Sequence, residues 1–179
     1  VIKGGDEMGR KIRTMVVAAA VLTLLLMLMG IGVGNAAQTS DSASHTVTFN
    51  NKAAVRLTLA ETTYNFGDVD PITNGGVFTS PDDAVNPNVR CNSNWTLYVR
   101  GSGDFSSGTN SIPLSRLGWR AGGIGSYTTM GISDAVVAKG SRTGNAGVTT
   151  SMGYQLTITF DDPAADGYST TIIYTATTP

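Results

Sequence analysis

From Thr46 to the C-terminus the chain alternates apolar and polar residues with period two, in short runs separated by turn residues. Val47 and Phe49 alternate with Thr46 and Thr48, and Val55, Leu57 and Leu59 with Arg56 and Thr58. Trp95, Leu97 and Val99 fall on one side of a run whose other side is Thr96, Tyr98 and Arg100. Tyr154, Leu156, Ile158 and Phe160 alternate with Gln155, Thr157 and Thr159, and Ile172, Tyr174 and Ala176 share one side of the last run. No stretch after residue 44 keeps the 3.6-residue period of a helix. Strands with one apolar face need a second layer to cover it, so the expected fold is all-β: a single Ig-like antiparallel β-sandwich over residues 45–179. The Gly/Ser-rich pieces 101–110 and 121–127 read as loops. The stretch Asp161-Asp162-Pro163 through Asp166-Gly167 reads as a hairpin loop that makes the last two strands neighbours.

Ahead of this pattern the composition changes. Lys3, Arg10, Lys11 and Arg13 form a basic start, and Met15 to Met29 is apolar except for Thr23. Gly34-Asn35-Ala36 then sets small residues at the two positions that a signal peptidase reads. Residues 1–36 are therefore expected to be a secretory signal cut after Ala36, with 37–44 a polar linker. The rival reading is a retained anchor through residues 15–34, since roughly 20 apolar residues span a bilayer. Either way the domain is expected to be secreted or at the cell surface. The net charge of −1 becomes about −3 without the signal, which opposes the basic face that nucleic acid needs. A single cysteine, Cys91, leaves no internal disulfide, and its neighbours place it buried in a strand.

The residues available for chemistry are few. His45 is the only histidine, which removes the usual base of a serine or cysteine triad and any histidine-based metal site. The aspartates allow two readings. Asp161, Asp162 and Asp166 are candidate calcium ligands, and Asp68, Asp70, Asp82 and Asp83 also sit in loops, where calcium finds oxygen. Aspartate is equally the ordinary residue of turns, and no spaced calcium-loop pattern accompanies these. No catalytic residue or cofactor is expected. Gly122-Gly123-Ile124-Gly125 is not a phosphate loop, because no Gly-Lys-Ser/Thr follows it. Trp119 reads either as an exposed stacking residue or as half-buried at the sandwich edge.

Tyr64-Asn65-Phe66-Gly67-Asp68-Val69-Asp70-Pro71, followed by Asn92-Ser93-Asn94-Trp95-Thr96-Leu97-Tyr98-Val99 and then Gly103-Asp104-Phe105, resembles the first half of the WxL family of bacterial cell-surface proteins. Trp95 and Leu97 match its first Trp-x-Leu. A second one is absent, since the chain ends Ile173-Tyr174-Thr175-Ala176-Thr177-Thr178-Pro179. More loosely the chain is similar to pilin- and coat-type subunits. The resemblance implies a structural or adhesive surface module whose partners are cell-wall glycan or other surface proteins. From the residues alone, Phe66 enters a tight turn at Gly67, while Trp95 and Leu97 share a strand face and pack inward. An alternative is a fibre-forming subunit that self-assembles by strand exchange, the strand near His45–Phe49 pairing with a neighbour's sheet edge. A secreted hydrolase is the third reading.

Overall fold

The computed structural model of the protein describes residues 42–179. The signal segment 1–36, its cut at Ala36 and the apolar run 15–34 lie outside the described residues. The chain divides into the units Val1–Phe49 and Asn50–Pro179. The described part of the first, residues 42–49, carries no strand or helix.

The second unit is all-β. Its strands are β1 (Val55–Thr58), β2 (Val77–Thr79), β3 (Asn88–Cys91), β4 (Trp95–Gly101), β5 (Phe105–Ser107), β6 (Asn110–Ile112), β7 (Leu117–Ala121), β8 (Thr128–Thr129), β9 (Ala135–Gly140), β10 (Val148–Thr149), β11 (Met152–Thr157) and β12 (Ile172–Thr177). All their pairings are antiparallel. The sheets run β1-β3-β10, β2-β11-β7-β8, β12-β4-β9 and β5-β6. The first two are joined into one layer by the chain itself. Thr150 N–H donates to the Pro87 carbonyl, and Val85 and Met152 exchange backbone bonds, so the stretch that begins at β10 runs on into β11.

The sheet β12-β4-β9 packs on that layer and gives a β-sandwich-like arrangement. Its middle strand, β4, shows why. Trp95, Leu97, Val99 and Gly101 are buried while Thr96, Tyr98 and Arg100 are half-buried, the strict alternation expected of a strand with one face on a core. Trp95 and Leu97 meet Val89 and Cys91 of β3, with Val55, Leu57 and Ala176 packed around them. Val99 joins a second cluster with Leu117, Trp119, Met152 and Tyr154, against which Ile172 and Tyr174 of β12 also pack. One strand thus serves two adjoining cores.

Several expectations change. Val47 and Phe49 are 78% and 85% exposed and form no strand, because alternation makes a strand only where a partner edge is present. The run that begins at Tyr154 ends at Thr157 with Ile158 still buried, and Phe160 is exposed. A tight turn intervenes there, with Asp162 N–H donating to the Thr159 carbonyl. The last two long strands are not neighbours: β11 pairs with β2 and β7, and β12 with β4. The Asp/Pro/Gly stretch is therefore a crossover between layers, not a hairpin. Within 101–112 the chain forms the hairpin β5–β6 across Gly108 and Thr109, where the composition suggested loop. Trp119 is buried in the core, neither a surface stacking residue nor an edge one.

The two layers also meet through a polar contact. The hydroxyls of Tyr154 on β11 and Tyr174 on β12 share a hydrogen bond of 2.6 Å in the interior. Burial, as the largest cause, raises both phenols above their ordinary value of 10, and for Tyr174 the neighbouring Tyr154 adds to it. Folding thus holds protons that the unfolded chain releases above about pH 10, so this contribution is complete below that pH and is lost as pH rises past it. Urea midpoints are expected to be level on this account below about pH 10 and to fall steeply above it, with a shallower fall in the Tyr154→Phe/Tyr174→Phe double variant. At neutral pH Tyr174→Phe alone is expected to cost about 1–2 kcal/mol, because it orphans the other hydroxyl, and the double variant less.

Candidate functional site

The residues singled out by sequence fall into two groups. The first is the core. Trp95 is 4% and Leu97 0% exposed. The indole Nε1 of Trp95 donates to the Ser141 carbonyl at 2.9 Å. Phe66 packs at the junction of two core clusters, and Gly67 follows it at φ +75°, closed by its own N–H on the Asn65 side chain at 2.8 Å. Cys91 is buried with a free thiol. His45 is exposed in the segment that precedes the domain.

The second group is the acids, of which Asp162 and Asp70 hold loops. Asp162 accepts hydrogen bonds from Thr159 N–H at 2.7 Å and Thr159 Oγ1 at 3.0 Å, and from Arg116 Nε at 3.2 Å. Its side chain is only 4% exposed. Asp161 and Asp166 are exposed. Asp70 Oδ1 accepts from Ile72 and Thr73 N–H, both at 2.7 Å, and the Thr73 amide, as the largest cause, holds its carboxyl below the ordinary value. Among the described residues, no three His, Cys, Asp or Glu side chains converge on a point that could hold a metal ion.

What sequence reasoning missed is a polar depression on the β10–β11 side. It has a volume of about 610 Å³, is open to solvent, and is lined by Asp82, Asp83, Gly122, Gly123, Thr149, Thr150 and Ser151. Three distant segments build it, and Gly122 N–H donating to the Ser151 carbonyl at 2.8 Å ties two of them together. Arg120 on β7 grips Asp82 Oδ1 through Nε at 2.9 Å and Nη2 at 2.6 Å, and its guanidinium lies 4.6 Å above the Tyr127 ring. Thr149 Oγ1 accepts from Asn88 Nδ2 at 2.9 Å, and Ser151 Oγ donates to Asn86 Oδ1 at 2.9 Å. Asn86 is itself held by Glu61 and by the Asp83 carbonyl. At Gly123, whose φ of +66° itself disfavours a side chain, a Cβ would press on the Asp82 carboxylate.

The site therefore offers a fixed acid, an exposed acid at Asp83, a row of hydroxyls and bare backbone. Ile124, 84% exposed, stands beside them on the same loop. Such a surface accepts hydrogen bonds from hydroxyl and amide groups through the carboxylates and exchanges them through Thr and Ser. The only signal in the sequence was the Asp82-Asp83 pair, which is indistinguishable there from a turn. The chain matches no protein-family model, and no curated protein is significantly similar to it.

Proposed function

We propose that the protein is an exported, non-catalytic module of the cell surface or extracellular space. In this reading its domain is an Ig-like β-sandwich with a structural or adhesive role, and its partners are cell-wall glycan or other surface proteins. The observation that carries the reading is the preorganised polar depression. It is shallow and open, a shape that suits the side of a polymer better than an enclosed small molecule. Its carboxylates and hydroxyls match the hydroxyl and amide groups of a glycan. The chemistry of turnover has little support beside it. The only histidine precedes the domain, the only cysteine is buried in β3, and Asp82 is tied to Arg120.

The reading is tested by cosedimentation of the purified protein with cell-wall glycan. Asp83→Ala/Thr150→Ala is expected to weaken retention about tenfold, the equivalent of one or two hydrogen bonds. Thr96→Ala, on the outward face of β4, is expected to leave it unchanged.

A further inference from the structure

We infer that residues 45–50 of one copy add as a strand to the outer edge of β12 in a second copy. This goes beyond the surface-contact reading, because it names the chain itself as a partner.

Thr46-Val47-Thr48-Phe49 has the pattern and β-branched composition of a strand, yet its two apolar side chains are exposed and among the described residues its backbone forms no ladder. It ends where the domain takes hold of the chain. Asn92, in the turn between β3 and β4, receives the Ala54 N–H on Oδ1 at 2.7 Å and donates from Nδ2 to the Lys52 carbonyl at 2.9 Å. Asn92 N–H also donates to the Ala54 carbonyl at 3.3 Å. The chain is thus pinned at 52–54.

The acceptor follows from a comparison of edges. Exposed strand edges in monomeric proteins are usually blunted by charge, proline, a bulge or shortness. β9 carries Lys139 and a register shift opposite Leu97 and Tyr98. β1 carries Arg56, and β2, β8 and β10 are three residues or fewer. β12 has none of these devices. Its six residues, Ile172-Ile173-Tyr174-Thr175-Ala176-Thr177, hold uninterrupted register with β4 and include no charge, proline or glycine. Among the described residues its ladder partner is β4 alone, on one side.

Donor and acceptor also match each other. Each is six residues, about 20 Å of strand, and neither carries a formal charge with His45 neutral. Ile172, Tyr174 and Ala176 face the cores. In the corresponding register Val47 and Phe49 extend that apolar face, while Thr46 and Thr48 join the outer one. A donor and an acceptor at different places on one molecule make a head-to-tail contact, which propagates into filaments unless it closes into a ring.

Sedimentation of protein purified from cells that express the full chain tests the inference. The mean mass is expected to rise with concentration over about 10 μM to 1 mM. It is expected to return to the monomer value on Val47→Lys/Phe49→Lys in the segment and, separately, on Ile173→Lys in the edge. Mixing the segment variant with the edge variant is expected to restore dimers and no larger species, since each retains one intact half. Unchanged far-UV circular dichroism marks the variants as folded. If the edge variant does not fold, a synthetic peptide of residues 44–51 replaces it, and it is expected to protect the amides of β12 from exchange in the segment variant. A wild-type protein that stays monomeric throughout, oligomers indifferent to both substitutions, or a peptide that leaves β12 unprotected would each overturn the inference.

Discussion

Replacing Trp95 with alanine is expected to lower the stability of the domain by about 4 kcal/mol, the middle of the range for loss of a buried aromatic. The indole lies on the inward face of β4 at 4% exposure. Gly140 of β9 sits against the ring so closely that even a methyl group there would strike it. The cavity left by alanine therefore has no neighbouring side chain from Gly140 to collapse into it. Trp95→Phe is expected to cost less, about 2 kcal/mol, from smaller volume and the lost bond to the Ser141 carbonyl. Thr96→Ala, one residue on and facing outward, serves as the control and is expected to stay within about 0.5 kcal/mol. Urea midpoints at constant slope give all three values. A loss below about 1 kcal/mol for Trp95→Ala would mean that the Trp-x-Leu pair is not a core element, and the interpretation of that motif as packing would fall.

Gly76→Ala is expected to cost about 3 kcal/mol or more, large for the addition of one methyl group. Two causes combine. The residue is buried at φ +76°, a conformation that opposes a side chain. A Cβ there would also land on the backbone carbonyl oxygen of Ile158, an atom that cannot rotate away. The same glycine accepts a hydrogen bond from Ile158 N–H at 2.7 Å, so a shift that relieved the clash would break the contact that holds the start of β2 to the end of β11. Gly75 separates the causes. It has φ +65° but nothing near its Cβ position, so Gly75→Ala is expected to cost only about 1–2 kcal/mol. Equal losses at the two positions would show that conformation alone governs this turn.

The parts of the fold that were legible in sequence are those where periodicity and burial coincide. β4 and β11 sit centrally with a partner on each side, and β4 throughout and β11 from Tyr154 on alternate without ambiguity. The same rule misleads at the periphery. Thr46–Phe49 alternates as well as any strand, but alternation states which face would be buried, not whether a partner edge exists. Phe160 continues the phase of β11 after the Thr159–Asp162 turn has ended the strand. In sequence the crossover from β11 to β12 reads as a hairpin, because Asp-Gly and proline mark turns without saying which sheet the chain enters next. The β5–β6 hairpin was hidden because its residues are mostly serine, glycine and asparagine.

The candidate site was less legible still. Its residues come from 82–83, 122–123 and 149–151, and no one of these segments carries a motif. Only the pairing of β11 with β7 and the grip of Arg120 on Asp82 bring them to one place. Asp162 illustrates the converse. Its sequence context admitted a calcium ligand or a turn former, and the structure commits it to Thr159 and Arg116.

The functional reading stands most directly on whether the depression holds a surface polymer. The decisive measurement is cosedimentation of the purified protein with cell-wall glycan, wild type beside Asp83→Ala/Thr150→Ala at equal stability. The account predicts saturable retention that weakens about tenfold in the variant while the glycan leaves the pellet unaltered in length. Retention identical in the two proteins would contradict the assignment of the depression as the contact surface. Shortening of the glycan that depends on Asp83 would contradict the non-catalytic reading itself.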